Sequence, residues 1–273
     1  MNAVAVIAGR ELRESLRNRW VLAATGLLAI LALVLAFLGS VPAGGVEAGS
    51  LAVTVVSLAS LSIYLLPLIA LLVSYDAIAG EQERGTLALL LAYPVARWQV
   101  LLGKFVGHAL VLAFATVVGF GIAAGALAAT AEVAAPGLRA FGLLLVSSVL
   151  LGWVFVAAGY LISVLVRQSA TAAGLAIAVW LVVVVLYDMA LLGALVATGG
   201  QGGFGDAVPW LLLLNPADAY RLANLAGSEG VAAVSGLEAV AAGLGPAPAL
   251  LALGTWIVLL LALAWRVFQR REW

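Results

Sequence analysis

Apolar residues in this chain come in long unbroken runs separated by short polar joints, and the runs show no period of two. Six of them approach or exceed the ~20 residues that cross a bilayer as a helix. They lie at about 20 to 38, 51 to 79, 100 to 129, 138 to 166, 170 to 196 and 249 to 268. Backbone groups in lipid must bond one another, and the strands of a membrane barrel would be ~10 residues of alternating polarity. The runs therefore predict helices. Ahead of them, Val4, Ala8, Leu12, Leu16 and Trp20 recur every four residues while Arg10, Arg13 and Arg17 gather elsewhere. That pattern over residues 2 to 19 predicts an amphipathic helix lying in the membrane interface.

Inside the spans, Pro67 removes one helical hydrogen bond and predicts a kink in the second. Ser57, Ser60 and Tyr64 share a face of that span, either as helix contacts or as the lining of a substrate pathway. Gly107, Gly119, Gly121 and Gly125 in the third span allow close helix approach. Residues 197 to 248 form the longest polar segment. Within it, Val208 to Pro216 is apolar but too short to cross, which predicts a re-entrant or interfacial piece. Trp210, Leu212 and Asn215 in this external segment are candidate docking residues for a partner protein.

Composition agrees with a multi-pass membrane protein: 65% of the 273 residues are hydrophobic, 10% are charged and mean hydropathy is +1.20. Net charge is zero and cysteine is absent, which rules out disulfides and thiolate metal sites within the chain. The acidic Glu11 and Glu14 among the first arginines argue against a cleaved signal peptide. Eleven of the 13 basic residues fall before the first span, in the 80–104 loop, between spans four and five, or in the tail region from Arg266 onward. Basic residues collect on the cytoplasmic side, so both termini and the 80–104 loop are expected there.

That loop reads G-E-Q-E-R-G-T-L-A-L-L-L-A-Y-P-V-A-R-W-Q-V-L-L-G-K. Gly80 and Gly85 permit sharp turns, Thr86 begins a short helix, and Leu87, Leu89, Leu90 and Leu91 give it an apolar face. Pro94 ends it. Glu81, Glu83 and Arg84 supply charge for docking, and Lys104 marks the entry of span three. At these residues the chain resembles the permease subunits of ABC transporters of the second export class, whose loop after the second span reads E-x-E/R-x-G-T-x-x-x-L-L-x-x-P-V-x-R followed by G-K. Glu81, Glu83, Arg84, Gly85, Thr86, Leu90, Leu91, Pro94, Val95, Arg97, Gly103 and Lys104 match in order.

The resemblance covers essentially the whole chain. It implies an all-α integral membrane permease domain with six transmembrane helices in the bacterial inner membrane. The loop would be a coupling helix engaged by a separate cytoplasmic ATPase subunit, present in two copies and carrying ATP and Mg, and the permease would act as a homodimer. A narrower similarity rests on R-E-L-R-E-S-L-R-N-R-W, V-S-Y-D-A-I-A-G-E-Q-E-R-G-T and L-N-P-A-D-A-Y-R-L. It points to permeases that serve maturation of periplasmic nitrous oxide reductase. It implies a periplasmic partner protein and either export of a sulfur species or a relay of ATP-driven movement for copper-sulfur centre assembly.

No phosphate-binding loop occurs, since Gly103-Lys104 is followed by Phe105, so no catalytic residues are expected and no cofactor is expected in this chain. Soft metal ligands are nearly absent, with one His, two Met and no Cys, which argues against copper passing through it. His108 reads as a packed residue. Asp76 reads as an anchor near Arg84 or Arg167. Asp188 lies deeper, and an intramembrane carboxylate is a functional candidate: it either lines a cavity, in a polar site between protomers, or bonds across helices. Two other readings stay open, an ion-coupled secondary transporter using Asp188 and a non-transporting scaffold for a periplasmic assembly factor. No feature suggests nucleic acid as a partner.

Overall fold

An apolar run in lipid leaves its backbone no partner but itself, and helices result. A computed structural model describes residues 3–16, 26–27, 30–34, 50–130, 135–198, 203–226 and 245–271, and every regular element among them is helical. α1 covers Ala3–Leu16, α2 Ser50–Ser74, α3 Ala79–Glu83, α4 Thr86–Leu91, α5 Arg97–Thr130 and α6 Ala135–Leu165. α7, Ser169–Trp180, runs on through a π-helical turn at Leu181–Leu186 into α8, Tyr187–Thr198. α9 (Gly203–Leu214), α10 (Pro216–Ala226) and α11 (Pro246–Arg270) follow.

Five stretches are long and apolar enough to cross a membrane: Val55–Glu83, Arg97–Ala126, Gly137–Leu165, Ser169–Thr198 and Pro246–Arg270. They lie where spans two to six are expected. The expected first span, 20 to 38, falls mostly outside the described residues.

α6 is the hub. It is apolar all round, as a helix buried on every side must be, and it packs against α2, α5, α7, α10 and α11. Two glycines set how close its neighbours come. A Cβ on Gly159 would overlap Ser74 of α2, and one on Gly152 would stand 2.6 Å from Leu112 of α5. By contrast the most apolar 18-residue stretch of Ser169–Thr198 is only 11% buried within the protein, against 61% for that of Gly137–Leu165.

The amphipathic start does more than lie on a surface. α1 packs against α5, and its buried line is Ala8, Glu11 and Ser15, a set that includes a charged residue. Gly103 and Gly107, one turn apart, let the two backbones meet: a Cβ on Gly103 would be 2.8 Å from Ile7 Cβ, and one on Gly107 2.5 Å from Glu11 Cβ. Gly121 and Gly125 have nothing within 4 Å among the described residues, so no described element makes the expected close approach there.

The external piece is also larger than its apolar core suggests. Val208 to Pro216 belongs to a helical hairpin of α9 and α10, because Asn215 starts a new helix: its Oδ1 accepts the Ala217 N–H at 2.9 Å. Asn as N-cap, Pro at the first helical position and an acid in the first turn form a strong start signal. α10 is buried, with Tyr220, Ala219 and Ala223 fully enclosed.

Candidate functional site

The loop between spans two and three is built as two short helices around one glycine. Gly85, with φ 71°, occupies the left-handed region, where side-chain-bearing residues are strained. It turns the chain from α3 into α4 as the sequence predicts. Gly80 has another role: it sits within α3, and a Cβ there would overlap the Asp76 carboxylate. Thr86 is the first residue of α4 and donates from Oγ1 to the Glu81 carbonyl at 3.3 Å. α4 ends at Leu91, and Pro94 lies just beyond.

One side of this unit is tied to four other helices. Ser163 Oγ of α6 accepts the N–H groups of Ile78 and Ala79, both at 2.9 Å. At the start of α7 the Ser169 N–H donates to Glu83 Oε2 at 3.0 Å, and the Ser169 hydroxyl donates to Asp76. Two carboxylates therefore sit at a helix amino terminus, where the backbone favours negative charge. Arg84 reaches Asp76 at 3.4 Å. Arg97 donates to the carbonyls of Phe268, Gln269 and Arg271 at the end of α11, satisfying acceptors that a helix end leaves open. Arg271 in turn donates to the carbonyls of Val164, Val166 and Leu165 at the end of α6.

The fourth tie is ionic and buried. Lys104 Nζ bonds Glu11 of α1 and, at 2.9 Å, Glu81 of α3; only 4% of the Lys104 side chain is exposed. His108, one turn along α5, lies 3.8 Å from Glu11 and 2.7 Å from the Tyr160 hydroxyl of α6. Lys104 thus does more than mark the entry of a span.

These contacts engage within the chain three of the loop residues that match the family pattern. Glu81 is held by Lys104, Arg97 caps α11, and Glu83, although exposed, is engaged at Ser169. Arg84 remains largely exposed. The opposite side of the loop is open and apolar: Leu89 and Tyr93 are 68% and 67% exposed, Trp98 is exposed, Leu90 and Leu91 are half-buried and Leu87 is buried. The helix face that the sequence gives to Leu87, Leu90 and Leu91 is spent on anchoring. Leu89, like Tyr93 and Trp98, stays exposed instead.

At the other end, Arg221 of α10 grips Asp188 of α8 with two bonds, at 2.9 and 3.1 Å, and also holds Asp218 at 2.9 Å. The partners of Asp188 are on the hairpin, not on the Ser57, Ser60 and Tyr64 face. Ser60 and Tyr64 are exposed on α2 and Ser57 is half-buried. Of the three candidate docking residues in the external segment, Trp210 is exposed, whereas Leu212 and Asn215 are buried. Leu212 packs inward and Asn215 caps α10, so neither faces a partner. Among the described residues, no three His, Cys, Asp or Glu side chains cluster in a way that would hold a metal.

A helical membrane bundle with an anchored loop helix between its second and third expected spans, and a helical hairpin before the last, fits a transport permease of the ABC-2 type. The chain belongs to that family: the family described as "ABC-2 family transporter protein" matches residues 5–273. It is 49% identical over 275 residues to the "Probable ABC transporter permease protein NosY" of Stutzerimonas stutzeri, and 50% identical over 274 residues to the protein of the same name from Pseudomonas aeruginosa. Both alignments cover 99% of each chain.

Proposed function

We propose that this permease subunit works as a homodimer in the bacterial inner membrane, with α1, the 80–104 loop and the end of α11 on the cytoplasmic side. A separate ATPase subunit docks on the loop and supplies the ATP chemistry. The observation that carries this reading is the two-sidedness of the loop. Leu89, Tyr93 and Trp98 offer an uncovered apolar tip beside Arg84, while the other side is fastened to α1, α6, α7 and α11. Exposed large apolar groups rimmed by charge mark protein interaction sites. A push on such a tip reaches four helices together because no joint between them is slack.

The finer role is maturation of periplasmic nitrous oxide reductase, by moving a sulfur species or by relaying the ATP-driven movement to a periplasmic assembly factor. Near-half identity over 99% of both chains to permeases named NosY supports it. The contact proposed for the periplasmic factor is Trp210, which is exposed on α9.

Co-purification of the ATPase, with ATP turnover in the reconstituted complex, tests docking. Glu83→Lys with Arg84→Glu reverses two charges at the rim and should reduce ATPase association. Retention at the wild-type level, with normal turnover and function, contradicts the assignment.

A further inference from the structure

At the end of α11 the helix's own arginines are relieved of capping. The last carbonyls of a helix can be bonded by a basic side chain of its final turn. Here the carbonyls of Phe268, Gln269 and Arg271 are taken by Arg97, which reaches across from α5. Arg266 and Arg270 are left exposed, and neither side chain has a hydrogen bond or ion pair among the described residues. Residues four apart stand ~5–6 Å from each other on a helix surface, where like charges repel. An anion between them removes that repulsion, and guanidinium groups form strong paired bonds to phosphate.

The surface leading up to the pair is apolar. At 3.6 residues per turn, Leu259, Leu263, Arg266 and Arg270 fall within ~60° of one another on α11, and all four are exposed. Ala264 and Phe268, on the buried side, are fully enclosed. The most apolar 18-residue stretch of α11 is only 17% buried within the protein. Trp265, 39% exposed, sits at the junction of the apolar and basic parts, and indole rings collect at the headgroup level of a membrane. A hydrocarbon surface that ends in two cations beside an interfacial Trp matches one ligand class: a lipid with an anionic head and tails that lie along the helix.

We propose that the 259–270 face of α11 binds an anionic phospholipid. Its phosphate is held between Arg266 and Arg270, and an acyl chain lies against Leu259 and Leu263. The cytoplasmic leaflet carries the negative surface potential, and the orientation proposed above puts the end of α11 on that side. The lipid site rests on that orientation only for the choice of leaflet.

Full-length permease, purified and delipidated in detergent, is titrated with phosphatidylglycerol or phosphatidylethanolamine of the same acyl chains, and bound lipid is counted by native mass spectrometry. Phosphatidylglycerol should be preferred. The preference should fall roughly fivefold for each arginine removed in Arg266→Gln and Arg270→Gln, the equivalent of ~1 kcal/mol per basic group at an anionic surface. Arg167→Gln is the control for diffuse charge. Arg167 is also exposed and lies on the same expected side, so a surface potential alone would make it count equally, whereas the site leaves the preference unchanged there. Inorganic phosphate should not displace the lipid, because it lacks the tails that lie on Leu259 and Leu263. Displacement of the lipid by phosphate, equal effects of all three substitutions, or no preference in the wild type overturns the proposal. Loss of ATPase co-purification in the arginine variants with lipid preference intact assigns the face to the protein partner and likewise overturns it. A reporter at the carboxyl terminus that reads as external refutes the orientation, while the titration in detergent still decides the site.

Discussion

The two polar regions of this membrane protein use charge in opposite ways. At the 80–104 loop, Lys104 lies between Glu11 and Glu81 and is 3% exposed, with both of its carboxylates on other elements. At the hairpin, Arg221 has one carboxylate on its own helix and one across the gap. The first arrangement cannot open without leaving buried charge unpaired; the second keeps one counterion on α10 itself. The same residue types therefore give a rigid joint or a locally compensated one according to where the second counterion sits in the chain.

The largest expected effect comes from breaking the rigid joint. Lys104→Met orphans Glu11 and Glu81 and should destabilise the protein by about 3–5 kcal/mol, read as a large fall in the melting temperature of purified permease. Arg221→Met, by comparison, should cost more than Asp188→Asn, because only the former leaves two carboxylates without their cation. Equal losses at Lys104 and Asp188 would erase the distinction between the regions.

Ser163→Ala removes the acceptor for two buried N–H groups under the loop. At ~1–3 kcal/mol for an unsatisfied buried group, it should lower stability measurably and loosen Ile78 and Ala79 in hydrogen exchange. Gly85→Val costs ~1–2 kcal/mol of backbone strain and re-aims α4 without touching the rim charges. It should keep ATPase association yet uncouple hydrolysis from function, checked by turnover against maturation of the target enzyme. Trp210→Ser is the mildest, since an exposed side chain carries little stability. It should leave the melting temperature unchanged and weaken retention of the periplasmic partner.

The positions of spans two to six were legible because length and apolarity alone decide them, and the loop was legible because Gly85, Thr86 and Pro94 punctuate it locally. The ties were not. Glu11 lies 93 residues from Lys104, and nothing near either one announces the other, although Glu11 falls one turn from Ala8 on the buried side of α1. Arg97 and Arg271 read as topology markers, yet they cap α11 and α6, a use that depends on which helix ends meet. Asn215-Pro216-Ala217-Asp218 did carry a local signal, a cap followed by Pro and an acid, but reading the stretch as the end of an apolar piece hides the start of α10. The π turn has no sequence mark: Leu181–Leu186 is apolar throughout, and only the Asn215 amide, which donates to the Val183 carbonyl at 2.7 Å, shows where the register slips.

The central claim, that the loop transmits force because its tip is free and its base is fixed, is tested most directly by Leu89→Asp with Tyr93→Asp. Both side chains are about two-thirds exposed, so the permease should fold with an unchanged melting temperature while the ATPase no longer co-purifies and coupled ATP turnover is lost. Full ATPase binding with normal coupled turnover in this variant would contradict the account.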